Sequence, residues 1–122
     1  MPDDILTPSE LHAMKRGRRS KYGSVRTSYN GQVYDSAKEA EFAHGLDLLK
    51  EAGGVLWWDR QVPFDVQVAG KKVCRYIADF AVRYADAPDV VHYIDTKGFH
   101  TRIYRLKKKL VEAAYGILIR EV

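Results

Sequence analysis

The chain has a single cysteine, Cys74, in 122 residues, so no disulfide can form within it. A lone thiol accords with a reducing compartment. No apolar run approaches the length of a membrane span, and the first residues lack the apolar core of a signal peptide. A cytoplasmic protein with no membrane partner is therefore expected. The four histidines (His12, His44, His92 and His100) have no metal-ligand spacing, which argues against zinc. A phosphate-cradling glycine loop and a serine triad are missing, as are repeats, low-complexity segments and interdomain linkers. What is left is ordinary: 46% hydrophobic and 30% charged residues, enough for one compact domain with a real core.

The net charge of +4 is less telling than its distribution. KRGRRSK (15–21) carries five basic residues and RIYRLKKK (102–109) five more, together half of all 20 lysines and arginines, with no acid among them. Such clusters suit a polyanion, because each neutralised phosphate releases condensed counterions. A solvated basic face and tail would give the same composition. Arg18, Arg19 and Lys21 in the first cluster, and Arg102, Lys107 and Lys108 in the second, are the candidate contacts to DNA.

Read along the chain, residues 1–22 form a basic arm with a short helix in TPSELHAMKRG, and residues 23–122 form the domain proper. SVRTSYNGQVYDS predicts a hairpin around Asn30-Gly31. SAKEAEFAHGLDLLKEAGG predicts a helix capped by Asp35 or Ser36 and stopped at Gly53-Gly54. VLWWDRQVPFDV, KKVCRYIADFAVRY and VVHYIDTK read as strands, with turns around Ala69-Gly70 and over 85–89. A second helix over 101–114 and a short strand in GILIREV complete the order helix, three strands, helix, strand. The fold class expected is α/β, a mixed sheet flanked by helices, with the hairpin in front.

Two acids interrupt this pattern. Alternation in CRYIADFAVRY puts Cys74, Tyr76, Ala78, Phe80 and Val82 on one face, and Asp79 on the other among apolar neighbours. In VVHYIDTK, Asp95 and Lys97 share a face. If the connection between these strands is symmetric about Ala87, Asp79 falls opposite Asp95. Opposed carboxylates repel, and a metal ion, a shared proton or a cation would offset the cost. The plainer alternative has each acid flanking a turn or paired with Arg75 or Lys97 at the surface.

The helices add two more misplaced charges. At about 100° per residue, Glu39 falls on the stripe of Phe42, Ala43 and Leu46, with Glu41 turned away. Ser36-Ala37-Lys38-Glu39 is also a capping box, so Glu39 serves a cap, a site, or both. In the second helix the expected stripe is Ile103, Leu106, Leu110 and Ala114, with Lys107 inside it, either snorkelling or reaching a phosphate.

A metal held by Asp79 and Asp95 would polarise a phosphoryl oxygen and activate a water, while Lys97 orients that water or stabilises the developing charge. Mg²⁺, with Mn²⁺ as substitute, often needs only one or two carboxylates from the protein. IADF, IDTK and SAKE, in this order of elements, resemble the PD-(D/E)XK nuclease superfamily over residues 34–122. YDSAKEAEFA, RQVPFDV, YIADFAV, IDTKGFHT and YRLKKKL are similar to a phage and prophage group related to Holliday-junction resolvases. The resemblance implies a restriction-endonuclease-like core, Glu39, Asp79 and Asp95 as metal-binding acids, and Lys97 as catalytic lysine. Gln61, Thr101 and Lys107 match the pattern without an assigned role. Ala78 stands where proline often precedes the acid, and Asp95 where glutamate is commoner.

The function expected is a Mg²⁺-dependent endodeoxyribonuclease acting on branched or duplex DNA, in the cytoplasm of a bacterium or phage-infected host. Symmetric incision of a four-way junction would favour a homodimer. The alternative is a non-catalytic DNA-binding accessory protein that retains the fold.

Overall fold

The computed structural model describes residues 26–96 and 100–122. The arm expected over 1–22, with its helix and Arg18, Arg19 and Lys21, lies outside the described residues, as does Lys97. The chain divides into two compact units, residues 1–45 and residues 46–122.

In the first unit, β1 (Thr27–Tyr29) and β2 (Gln32–Tyr34) pair antiparallel, Thr27 opposite Tyr34. The turn is Asn30-Gly31, with φ of 50° and 78°, as a two-residue hairpin matched to strand twist requires. Helix α1 (Ala37–Glu51) follows. Ser36 caps it, its Oγ accepting the Glu39 N–H at 3.1 Å. Glu39 is buried, at 5% exposure, and Glu41 is exposed, as the helical phase predicts. The helix runs across the boundary between the units. It stops where Gly54 N–H reaches the Leu49 carbonyl and Gly53 N–H the Lys50 carbonyl, with Gly53 left-handed at φ 88°. This pairing satisfies the last carbonyls and turns the chain into the sheet.

The second unit holds a four-stranded mixed sheet in the order β3-β4-β5-β6. Strands β3 (Val55–Val68) and β4 (Lys71–Tyr84) form a long antiparallel hairpin over Ala69-Gly70. Strand β5 (His92–Asp95) is antiparallel to β4, and β6 (Ile119–Glu121) is parallel to β5. A parallel pair needs a crossover, and α2 (Arg102–Tyr115) supplies it. Thr101 caps this helix, accepting the Tyr104 N–H at 3.0 Å, and Gly116 ends it at φ 67°. The α/β class, the mixed sheet and the element order are those expected from the sequence. No helix among the described residues is long and apolar enough to cross a membrane.

Helix α2 packs on β3 and β4, over a core of Phe64, Val66, Tyr76, Ala78, Val111 and Ile119. Of the expected stripe of Ile103, Leu106, Leu110 and Ala114, Ile103 and Leu110 are half-buried, with Leu110 against the core, and the other two are not. Leu106 is 47% exposed and Ala114 is exposed, whereas Val111 is fully buried and Tyr104, Lys107 and Lys108 are half-buried. The reason is the aromatics. Tyr115 meets Phe64 edge-on at 5.1 Å and its hydroxyl reaches the Asp65 carbonyl, while Tyr104 lies 6.2 Å from Tyr76. Tyr104 and Leu110 pack against the core, Tyr115 lays one edge on Phe64, and lysine stems fill in beside them.

Between Ala78 and Val82 both faces of β4 are buried, so Asp79 lies in the interior. Toward the hairpin turn one face is open, with Arg75 and Ile77 exposed. Of the two tryptophans, Trp57 is exposed. Trp58 is half-buried, and its Nε1 donates to Asp47 at 2.9 Å.

Candidate functional site

The β4–β5 ladder pairs Phe80 with Ile94, Ala81 with Tyr93 and Val82 with His92. One further step in that register sets Asp79 opposite Asp95, the arrangement that symmetry about Ala87 predicts. The ladder proper ends before this pair, and the side chains take over its work. The Asp79 N–H donates to Asp95 Oδ1 at 2.9 Å, and the Thr96 N–H donates to Asp79 Oδ2 at 2.8 Å. Each carboxylate thus ties down the backbone of the opposite strand.

Two hydroxyls join them. Thr96 Oγ1 donates to Asp79 Oδ2 at 3.1 Å, and the buried Tyr76 hydroxyl donates to Asp95 Oδ2. On its other side the Asp95 carbonyl accepts the Val122 N–H at 2.9 Å, linking the acid to the end of β6. Asp95 has no exposed surface and Asp79 only 5%. The repulsion expected between opposed acids is therefore met by at least four hydrogen-bond donors. The alternation pattern alone points to a metal, a shared proton or a cation, and does not reveal these donors. One signal was available: a tyrosine on a buried strand face needs a partner for its hydroxyl.

Beside the pair stands a second polar group, also unforeseen. The Tyr104 hydroxyl donates to Glu121 Oε2 at 2.7 Å, and Lys108 Nζ lies 3.3 Å and His100 Nε2 3.5 Å from the same oxygen. Burial, then the hydrogen bond to Glu121 and the nearby Asp95 charge, push the Tyr104 phenol far above its ordinary range, so it remains a donor. The Tyr104 hydroxyl, followed by Lys108 and His100, holds the Glu121 carboxyl below its ordinary value, with burial opposing. Since Glu121 is paired with Asp95 in the parallel ladder, this group abuts the acid pair.

Gln61 lies on the other flank. The β3–β4 ladder pairs Arg60 with Phe80 and Val62 with Ala78, which places Gln61 opposite Asp79. That one pairing is interrupted without a change of register, and Gln61 has φ of 56°. Among the other residues expected at the site, Thr101 serves as the cap of α2. Arg102 is exposed, Lys107 is half-buried, and Lys108 is engaged by Glu121. Glu39 belongs to the first unit and is described there.

Among the described residues no group of three or more His, Cys, Asp and Glu side chains stands ready to hold a metal. Asp79 and Asp95 stand as a pair. Two carboxylates are nonetheless a hard, all-oxygen donor set of the kind Mg²⁺ accepts, with waters and substrate phosphate supplying the remaining ligands.

No curated protein and no solved structure matches the chain. The model of one family, described as a protein of unknown function (DUF1064), matches residues 19–120. The chain belongs to that family.

Proposed function

We propose that this DUF1064 member is a metal-dependent endodeoxyribonuclease that hydrolyses DNA phosphodiester bonds, with branched DNA as the favoured substrate. The observation that carries this reading is the opposed pair Asp79 and Asp95, buried and held in place by donors from each other's strands. Like charges gathered in an interior cost stability, and side chains fixed this firmly suit a task that needs fixed oxygens.

Asp79 and Asp95 would hold Mg²⁺ or Mn²⁺; Glu39, the third acid that the resemblance implies, belongs to the first unit. When bound, the ion supplies Lewis-acid polarisation of the phosphate and an acidified water. The remaining work falls to the chain. Thr96 and Tyr76 orient the two carboxylates. Lys97, two positions beyond Asp95, would stabilise charge on the phosphoryl oxygens. Arg102, Lys107 and Lys108, with Arg18, Arg19 and Lys21 from the arm, would hold the DNA backbone without reading bases. The restriction-endonuclease-like core, a homodimer on a symmetric junction, and a place in the cytoplasm of a bacterium or phage-infected host belong to the same proposal.

A second reading has its own support. Both Asp95 oxygens already accept hydrogen bonds, so the pair also serves as a lock between strands. A DNA-binding accessory protein would need no more than that. Incubating the purified protein with a four-way junction, a flap and a linear duplex, with and without Mg²⁺ or Mn²⁺, separates the two. The nuclease reading expects metal-stimulated cleavage, reduced about 10²–10³-fold in Asp95→Asn and Lys97→Ala, the scale of losing one charge-stabilising group. Salt-sensitive binding without cleavage leaves the accessory protein. Cleavage that survives both substitutions would place the chemistry elsewhere.

A further inference from the structure

Among the described residues, three other than glycine have positive φ: Asn30 at 50°, Gln61 at 56° and Ala69 at 53°. Two of them need no further explanation. Asn30-Gly31 and Ala69-Gly70 are the central residues of two-residue hairpins, where both positions must be left-handed. Gln61 is different, because it sits inside the 14-residue strand β3 with no turn to make. A side chain with a Cβ pays for that conformation, and such outliers gather where surrounding structure and function demand them.

Its position narrows the reason. The β3–β4 ladder keeps one register from Trp57 to Val66 and, within that stretch, loses the pairing of Gln61 with Asp79. On the other edge of β4 the ladder stops at Phe80, and Asp79 gives its N–H to a side chain instead. Regular pairing thus fails on both flanks of Asp79, at the acid pair. Gln61 is exposed, so core packing does not account for its side chain. A phosphate approaching two carboxylates meets repulsion, and a neutral carboxamide can donate to it without adding a charge that would compete for the acids.

We infer that Gln61 is a further substrate-contacting residue, its amide donating to a non-bridging oxygen of the phosphate at the Asp79–Asp95 pair; this rests on the nuclease reading above. The left-handed backbone is what lifts the residue out of the ladder for that contact.

Gln61→Gly tests this directly, because it removes the strain and the amide together. Ala69→Gly is its control, relieving the same strain at the hairpin turn. Both variants and the wild type are melted, then assayed with Mg²⁺ on whichever of the four-way junction, flap or duplex the wild type cleaves. Both glycine variants are expected to melt about 4 °C higher, the scale of relieving one strained residue in a small domain. Only Gln61→Gly is expected to lose kcat/KM, by about 10²-fold. A more stable Gln61→Gly that cleaves at the wild-type rate overturns the inference and leaves the nuclease reading standing. A fall in both melting temperature and cleavage makes Gln61 a structural residue and overturns it equally. Absence of metal-stimulated cleavage in the wild type removes the nuclease reading, and this inference with it.

Discussion

The same sheet carries two charged pairs set across neighbouring ladders, and they differ in almost every respect. Asp65 and Arg75 face each other across β3 and β4, opposite in charge and solvent-exposed, with Arg75 Nε 2.8 Å from Asp65 Oδ1. Asp79 and Asp95 face each other across β4 and β5, alike in charge and buried. The first pair needs only proximity. Its hydrogen bond, chiefly, lowers the Asp65 carboxyl and raises the Arg75 guanidinium from their ordinary values, and water screens the rest. The second pair exists because Tyr76, Thr96 and the β4 backbone bring donors to it. A strand can carry a surface ion pair at little cost, whereas an interior pair of acids has to be built.

That contrast predicts a graded set of effects, the largest at Asp95. Asp95→Ala should lower the unfolding free energy by about 3 kcal/mol, because the Asp79 N–H and the Tyr76 hydroxyl lose their acceptor in a buried place. Urea denaturation measures it. A variant more stable than the wild type would mean that repulsion outweighs the hydrogen bonds, and the contrast would collapse. Tyr76→Phe removes one donor from a buried carboxylate and should cost about 2 kcal/mol by the same measurement.

Tyr104→Phe comes next, at about 1 kcal/mol at neutral pH. It also has a pH signature. Glu121 is depressed below its ordinary value of 4.5, mainly by Tyr104, so the stability it adds is present above that value. That stability is lost as pH falls through the lower folded-state value. Without the Tyr104 hydroxyl, the loss on acidification below about 4.5 should shrink. Melting curves across the acid range would show it, and an unchanged acid limb would detach Glu121 from Tyr104. At the small end, Arg75→Ala should leave the melting temperature within error of the wild type and indifferent to salt. A clear drop would show that the exposed pair matters more than its setting suggests.

Much of this was legible beforehand because it depends on local rules. Asn30-Gly31 and Ala69-Gly70 are turns by backbone preference, Ser36 is a cap by side-chain chemistry, and Gly53 accepts a left-handed helix end. Even the opposition of Asp79 and Asp95 followed from the length of one connection and the parity of two strands. The face of α2 is legible at Ile103 and Leu110 and not at Leu106 and Ala114, because counting aliphatic residues undervalues Tyr104 and the lysine stems. Gln61 matches the family pattern, but its backbone is not legible, since no composition rule foretells a left-handed residue in a long strand.

The sequence by itself determined the elements, their order, and the fact that two acids would meet between strands. Each of these depends on residues close together along the chain or on simple alternation. Only the tertiary structure decided how the meeting is made tolerable. The donors come from β4 and from the residue after β5, and the backbone donors among them are available because regular pairing stops at Asp79. Hydrogen bonds of that kind are set by where a ladder breaks, which depends on the packing of several elements at once.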